Sequence, residues 1–323
     1  MEVLYTPETW YLLGDAVTAE AVYSAARQRL LDVHNKQVQR ALAFEGVESL
    51  SVEQEEDYAE RLVMLTGMLE HYFTWAVEHD HFTPVKVEIE FEVPITTLDG
   101  EDYVIDGRPV MYQGRLDGLA QDPQGRYWIL EHKTTGQMGA IEYLEVDSQV
   151  SSYAWAIQTQ LGIQVAGILY TQALKAFPSP PKKLKKQREG RWFSVNRQQR
   201  TTRNLFLATL ERHGEDPRLY SEFLGYLDTK GNPFFRRIPI FRNEASLEYV
   251  GRNIYLESVE MLNDPVIYPS PAFFNCNRCR FREPCIAKQN GYDYQFILDE
   301  LFVRRDKEVA APITLGVSKE MLP

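Results

Sequence analysis

The sequence predicts an α/β core. Three observations carry that prediction: the apolar residues change period from helical to alternating, two strands flank a tight Pro/Gly turn, and a glycine-closed helix leads into a further apolar strand. Residues 1 to 45 read as helical, with "AEAVYSAARQRLLDVHNKQVQRALAF" placing apolar residues at mixed three- and four-residue spacing. A second helix is predicted through "EEDYAERLVMLTGMLEHYFTWAVEHD", residues 55 to 80. The period then changes, because "VKVEIEFEVPI", residues 85 to 95, alternates apolar and acidic residues as a half-buried strand does. After the loop "TTLDGEDYVIDGRP" comes the hairpin "GRLDGLAQDPQGRYWILEHKTTG", residues 114 to 136. A helix follows from about Asp147 to Leu161, capped by Gly162, and then the apolar strand "VAGILYTQAL". Beyond it are a helix near residues 200 to 213, a strand "FFRRIPIF" and a helix from about Glu244 to Asn263. The chain thus divides into a helical part at 1–84, a core at 85–177, a basic loop at 178–192 and a C-terminal helical part with cysteines at 193–323.

With 323 residues, 44% of them hydrophobic, the chain can bury a sizeable core, which excludes a disordered or fibrous protein. No run approaches the roughly 18 apolar residues of a membrane helix, and "MEVLYTPETW" lacks a signal-peptide pattern, so a cytoplasmic protein without a membrane partner is expected. A net charge of -11 argues against a general polyanion-coating protein and leaves room for an enzyme whose cations are local. No G-x-x-x-x-G-K-[ST] occurs, so nothing points to an attached ATP-driven motor.

In the hairpin, Asp122 and Pro123 suit the first positions of a type I turn and Gly125 suits the left-handed position of a bulged loop. Counting outward, Asp117 falls opposite Glu131, and the two-residue period sets Lys133 on the same face. Leu116, Trp128 and Leu130 are expected to point the other way, toward a core. Two carboxylates across a strand pair repel unless a cation sits between them. Mg²⁺ or Mn²⁺ is the natural occupant, with Lys133 stabilising developing negative charge; the plainer alternative is that Arg115 and Lys133 neutralise two acids on a solvated face. Glu90, in the alternating "EIEFE", either leans toward that site or belongs to a solvated edge strand. Gln149 and Tyr153 stand four apart on a helix and so share a face, where they either reach the same substrate or pack with Val150, Ile157 and Leu161.

Within "PSPPKKLKKQREGRW" an exposed basic loop is expected, with Lys182, Lys183, Lys185, Lys186, Arg188 and Arg191 contacting phosphates beside Trp192. The three cysteines Cys276, Cys279 and Cys285 all lie in "NCNRCRFREPC", a poor disulfide framework and a candidate metal or iron–sulfur half-site; a reduced thiol cluster is the alternative.

Taken together, "GRLDG", "WILEHKTT" and "QVSSY" resemble the RecB-like branch of the PD-(D/E)XK nuclease superfamily over roughly residues 65 to 290, and within it phage-encoded exonucleases of the CRISPR-associated Cas-four type. The resemblance implies a restriction-endonuclease-like core, a mixed central sheet flanked by helices. It implies Asp117 and Glu131 as metal ligands, Lys133 as the catalytic lysine, Gln149 and Tyr153 as the Q-x-x-x-Y box, and the C-x-x-C-x5-C cysteines as ligands of a [4Fe–4S] cluster. Such relatives carry an earlier cysteine and a Gly-x-x-x-His helix. No cysteine precedes Cys276, so the cluster is one ligand short; Gly67 to His71 fits the histidine pattern, though a histidine satisfied on its own helix fits as well. A chain shorter than the family's working form is the corresponding expectation. The implied activity is that of a metal-dependent DNA exonuclease in recombination, repair or phage DNA processing, with DNA as partner and a recombination protein or helicase beside it. The alternatives are a catalytically weak nuclease-fold DNA-binding protein and a structure-specific endonuclease.

Overall fold

Two long helices, α1 (Ala16–Glu45) and α2 (Val52–His79), precede the sheet in a computed structural model that describes residues 16–263 and 269–303. The part of the first predicted helix before residue 16 lies outside the described residues. A capping box starts α2: the Ser51 hydroxyl accepts from the Gln54 N–H, and the Gln54 side chain accepts from the Ser51 N–H. Strand β1 (Thr83–Pro94) then runs into a small pair, β2 (Val104–Ile105) and β3 (Arg108–Pro109). The hairpin follows as β4 (Met111–Gln121) and β5 (Tyr127–Thr135). Helix α3 (Ser148–Leu161) begins where Asp147 accepts from the Val150 N–H and ends at Gly162, whose φ of 61° is left-handed. It leads to β6 (Val165–Leu174).

Residues between β6 and the last strand of the sheet form an insertion. It contains β7 (Lys183–Arg188) and β8 (Arg191–Phe193), then α4 (Arg203–Arg212) and α5 (Ser221–Lys230). Phe193, Phe206, Leu210, Tyr220, Phe223 and Leu227 give it a core of its own. The expected basic loop is therefore a correction: β7 and β8 pair as a hairpin turned by Glu189 and Gly190, both with positive φ. Strand β9 (Phe235–Phe241) returns to pair with β6, outside the 85–177 bounds anticipated for the core. Helix α6 (Glu244–Asn263) follows, and the short helices α7 (Phe273–Asn277), α8 (Arg282–Gln289) and α9 (Tyr294–Leu301) lie near the C-terminus.

The central sheet has the order β1-β4-β5-β6-β9, with β5 and β6 parallel and the other neighbours antiparallel. This is the mixed, helix-flanked sheet expected. Leu119, Ile129, Ile168 and Ile240 pack on one face against Val150, Ala154, Ile157 and Leu161 of α3. Ala120, Leu130 and Phe235 face the other way, against Tyr72, Trp75 and Ala76 of α2. At Gly167 the β9 backbone comes so close that a Cβ would lie 2.0 Å from the Ile240 carbonyl oxygen, so only glycine allows the pairing.

Leu116 departs from expectation. It packs with Ile89 and Phe91 on the α3 face, whereas Leu130 lies on the α2 face. The cause is Glu88, whose φ of 49° interrupts β1 where the ladder passes from Val87↔Gly118 to Ile89↔Leu116. That twist reverses the alternation, so Val87 packs toward α2 and Ile89 toward α3.

Candidate active site

The site lies within β4 and β5, where their pairing stops beyond Gly118↔Leu130, beside the N-terminus of α3. Asp122 fixes the turn between the strands by accepting from the Gln124 and Arg126 N–H groups and from Trp128 Nε1. From there the register runs Gln121↔Tyr127 to Gly118↔Leu130, as counted from the sequence. One step further the ladder gives way, because Asp117 Oδ2 accepts from the backbone N–H of His132 at 2.7 Å. A carboxylate thus takes the place of a strand rung, and Asp117 and Glu131 come onto one face.

Lys133 Nζ lies 2.5 Å from Glu131 Oε1, with the Glu131 side chain 5% exposed and the lysine 41%. Burial pushes the Glu131 carboxyl up; Lys133 opposes this, and the negative charges of Asp117 and Asp147 add to it. For Asp117 burial also pushes upward, but the side-chain and backbone hydrogen bonds of His132 outweigh it and hold the carboxyl below its usual range. The His132 ring, 3.6 Å from Asp117 Oδ2, is itself pushed down by burial, with Asp117 opposing. Burial lowers Lys133, yet Glu131 more than compensates and keeps it charged. Arg115 does not neutralise this pair; it bridges Glu88 at 3.2 Å on the edge strand, where Glu90 is exposed.

Among the described residues no three His, Cys, Asp or Glu side chains form a group able to hold a metal. Mg²⁺ or Mn²⁺ does not require one, since such ions bind through one or two carboxylates with waters and phosphate oxygens completing the shell. A buried carboxylate pressed by two further acids fits such an ion. An iron–sulfur cluster is different, because it takes four thiolates. Cys276 is half-buried and Cys279 and Cys285 are exposed, all as free thiols that the described fold does not gather into a ligand group. Three thiolates are one short of that set.

Gln149 and Tyr153 share a face as expected, with Gln149 Nε2 donating to the Tyr153 hydroxyl at 2.9 Å. They line a cleft of about 1080 Å³ between α3, the start of β4 and α6. The Tyr153 ring also packs edge-on against Phe91, so it serves the core as well. Among the described residues His71 forms no three-ligand metal group with the carboxylates; its ring stacks on Phe177 at 6.1 Å, and burial lowers its pKa. The six cationic side chains from Lys182 to Arg191 stand on the β7–β8 hairpin, where Lys183 Nζ lies 6.0 Å over the Trp192 ring.

Sequence reasoning missed a second polar group on the same face. Parallel pairing sets Tyr170 beside Glu131 and Gln172 beside Lys133, and β9 adds Arg236 beside Gln172. No periodicity carries that signal, because it arises from the register between distant strands.

The family profile for the PD-(D/E)XK nuclease superfamily matches residues 14–286. No curated protein matches. Among solved structures, the crystal structure of SSO0001 is similar at 14% identity and a TM-score of 0.30, covering 79% of this chain and 94% of that one.

Proposed function

This chain belongs to the PD-(D/E)XK nuclease superfamily, and we propose that it is a Mg²⁺- or Mn²⁺-dependent DNA exonuclease acting in recombination, repair or phage DNA processing. The observation that carries this reading is the convergence of Asp117, Glu131 and Lys133 where β4 and β5 part.

Asp117 and Glu131 would hold the divalent ion, which when bound supplies polarisation of the phosphodiester and activation of water. The reaction adds a water oxygen to phosphorus and breaks one phosphorus–sugar oxygen bond. In this reading the His132 N–H keeps the Asp117 carboxylate aimed and ionised. The Lys133 ammonium stabilises the extra negative charge on the non-bridging oxygens as water attacks. Gln149 and Tyr153 position the strand along the cleft, and the cationic hairpin supplies further phosphate contacts.

Digestion of linear and closed circular DNA, with and without Mn²⁺, tests this reading. Metal-dependent loss of the linear form alone is expected; cleavage of the circle would make the protein an endonuclease. One observation favours a second reading, a nuclease-fold DNA-binding protein with weak chemistry: Lys133 is engaged by Glu131 and no third metal-ligating side chain joins the carboxylates among the described residues. DNA binding without cleavage at any metal concentration would establish it.

A further inference from the structure

Arg236 stands in register with the lysine of the active site. Pairing runs Lys133↔Gln172 from β5 to β6 and Gln172↔Arg236 from β6 to β9, so the three residues form one row on the face that carries Glu131. With neighbouring strands about 4.8 Å apart, the Arg236 backbone lies about 10 Å from that of Lys133. Its guanidinium is fixed in place. Nε donates to Gln172 Oε1 at 2.8 Å, and one Nη donates to that same oxygen and to the Gly139 carbonyl. Gln172 is 4% exposed, so the plane of the guanidinium is set by a side chain that cannot swing.

Both acceptors are neutral. Among the described residues no carboxylate lies within ion-pair distance of Arg236, and the other Nη keeps its N–H groups. The adjacent Arg237 makes the contrast, since it faces the opposite side and is ion-paired with Asp80. A half-buried cation held by neutral dipoles, beside a row that ends at the catalytic lysine, is built to receive an anion. Given the nuclease reading, on which this step rests, we infer that Arg236 grips a backbone phosphate of the bound strand one or two positions from the scissile one. Gln172 acts as the positioning residue that holds it.

The test uses DNA strands carrying a single neutral methylphosphonate at successive positions around the cleavage point, each with and without a terminal phosphate. They are assayed in Mn²⁺ with the full chain, R236M and R236K. On all-phosphate DNA, R236M should raise KM roughly ten- to hundredfold while kcat changes little, and R236K should fall between R236M and the wild type. One methylphosphonate position should penalise the wild type and leave R236M unaffected. Equal KM values, or equal responses of wild type and R236M at every position, would overturn the contact. A penalty that follows only the terminal phosphate would overturn it too, moving Arg236 to the DNA end. If R236M does not fold, the same comparison with R236K decides. Failure of the wild type to bind or cleave the all-phosphate strand would instead overturn the nuclease reading.

Discussion

The Asp117 carboxylate accepts the backbone N–H of His132 at 2.7 Å, at the point where β4 and β5 stop pairing. One oxygen of the acid therefore completes the sheet and helps hold the strands where buried Glu131 meets half-exposed Lys133. Asn at this position still offers an oxygen to the His132 N–H but has lost the charge that attracts a cation. Asp117→Asn should keep the fold and lose metal affinity, so excess Mn²⁺ should restore part of its cleavage rate. Lys133→Ala should behave differently, with a rate loss on the order of 10² or more that no metal concentration repairs. Metal titrations of both variants measure this, and wild-type turnover in Lys133→Ala would sink the assignment.

Glu131 gives a pH prediction. Burial, reinforced by Asp117 and Asp147, holds its carboxyl above the ordinary 4.5, so the folded chain keeps a proton that the unfolded chain releases. Stability of the metal-free protein should then fall as the pH rises from about 4.5 through the higher folded value. Asp117 has the opposite sign: its stabilisation is present above the ordinary 3.8 and is lost as the pH drops through its lowered folded value, in a separate window. Glu131→Gln removes the first effect and should flatten this fall of melting temperature with rising pH in EDTA. Melting curves of the two proteins that run parallel across pH would show that Glu131 is not under this pressure.

Part of this site was legible because it is local. The turn Asp122-Pro123-Gln124-Gly125 fixes the hairpin register, and register alone puts Asp117 opposite Glu131 with Lys133 one period on. The four-residue spacing of Gln149 and Tyr153 likewise gave their common face and, in the fold, their hydrogen bond. What failed was decided by partners far along the chain. Leu116 changed face because Glu88, on another strand, takes a positive φ. His71 carried a fitting spacing, but its neighbour is Phe177, from beyond β6. Arg236 joined the face that carries Glu131 and Lys133 through a parallel pairing followed by an antiparallel one, which composition and periodicity do not encode. The lysine-rich stretch looked like a loop because its prolines and charges mask a short hairpin whose anchor, Phe193, packs in a core built from residues 206 to 227.

Arg237 ties α2 to β9 from inside the protein. It pairs with Asp80, donates to the Tyr72 hydroxyl and Thr171 Oγ1 at 3.0 Å each, and lies 5.3 Å and 5.0 Å from the ring centres of Trp75 and Phe82. Its side chain is 8% exposed and that of Asp80 0%. Removing one charge strands the other in an apolar setting, so Arg237→Met and Asp80→Asn should each destabilise the fold by about 3–5 kcal/mol. The double variant should lose much less than the sum of the two. Urea unfolding of the three proteins measures the coupling, and strict additivity would mean that the pair does not act as a unit.

The cationic hairpin makes the last prediction. Lys182, Lys183, Lys185 and Lys186 are exposed, and their strand is held by Phe193 and by the Tyr220 hydroxyl, which accepts from the Trp192 and Phe193 N–H groups. The scaffold does not depend on the lysine charges, so replacing all four with Gln should leave the melting temperature nearly unchanged. Binding to DNA should weaken, and the slope of log K against log salt should flatten by roughly 0.7 to 0.9 for each phosphate contact removed. Cleavage at saturating DNA should persist, because Asp117, Glu131 and Lys133 are untouched. Trp192, 36% exposed beside Lys183, offers a surface on which a base can stack, so Trp192→Ala should reduce affinity for single strands without altering the salt slope. Fluorescence anisotropy across a salt series separates the two effects. An unchanged slope in the four-lysine variant would remove the hairpin from the DNA-binding surface and leave it as a solvated projection of the insertion.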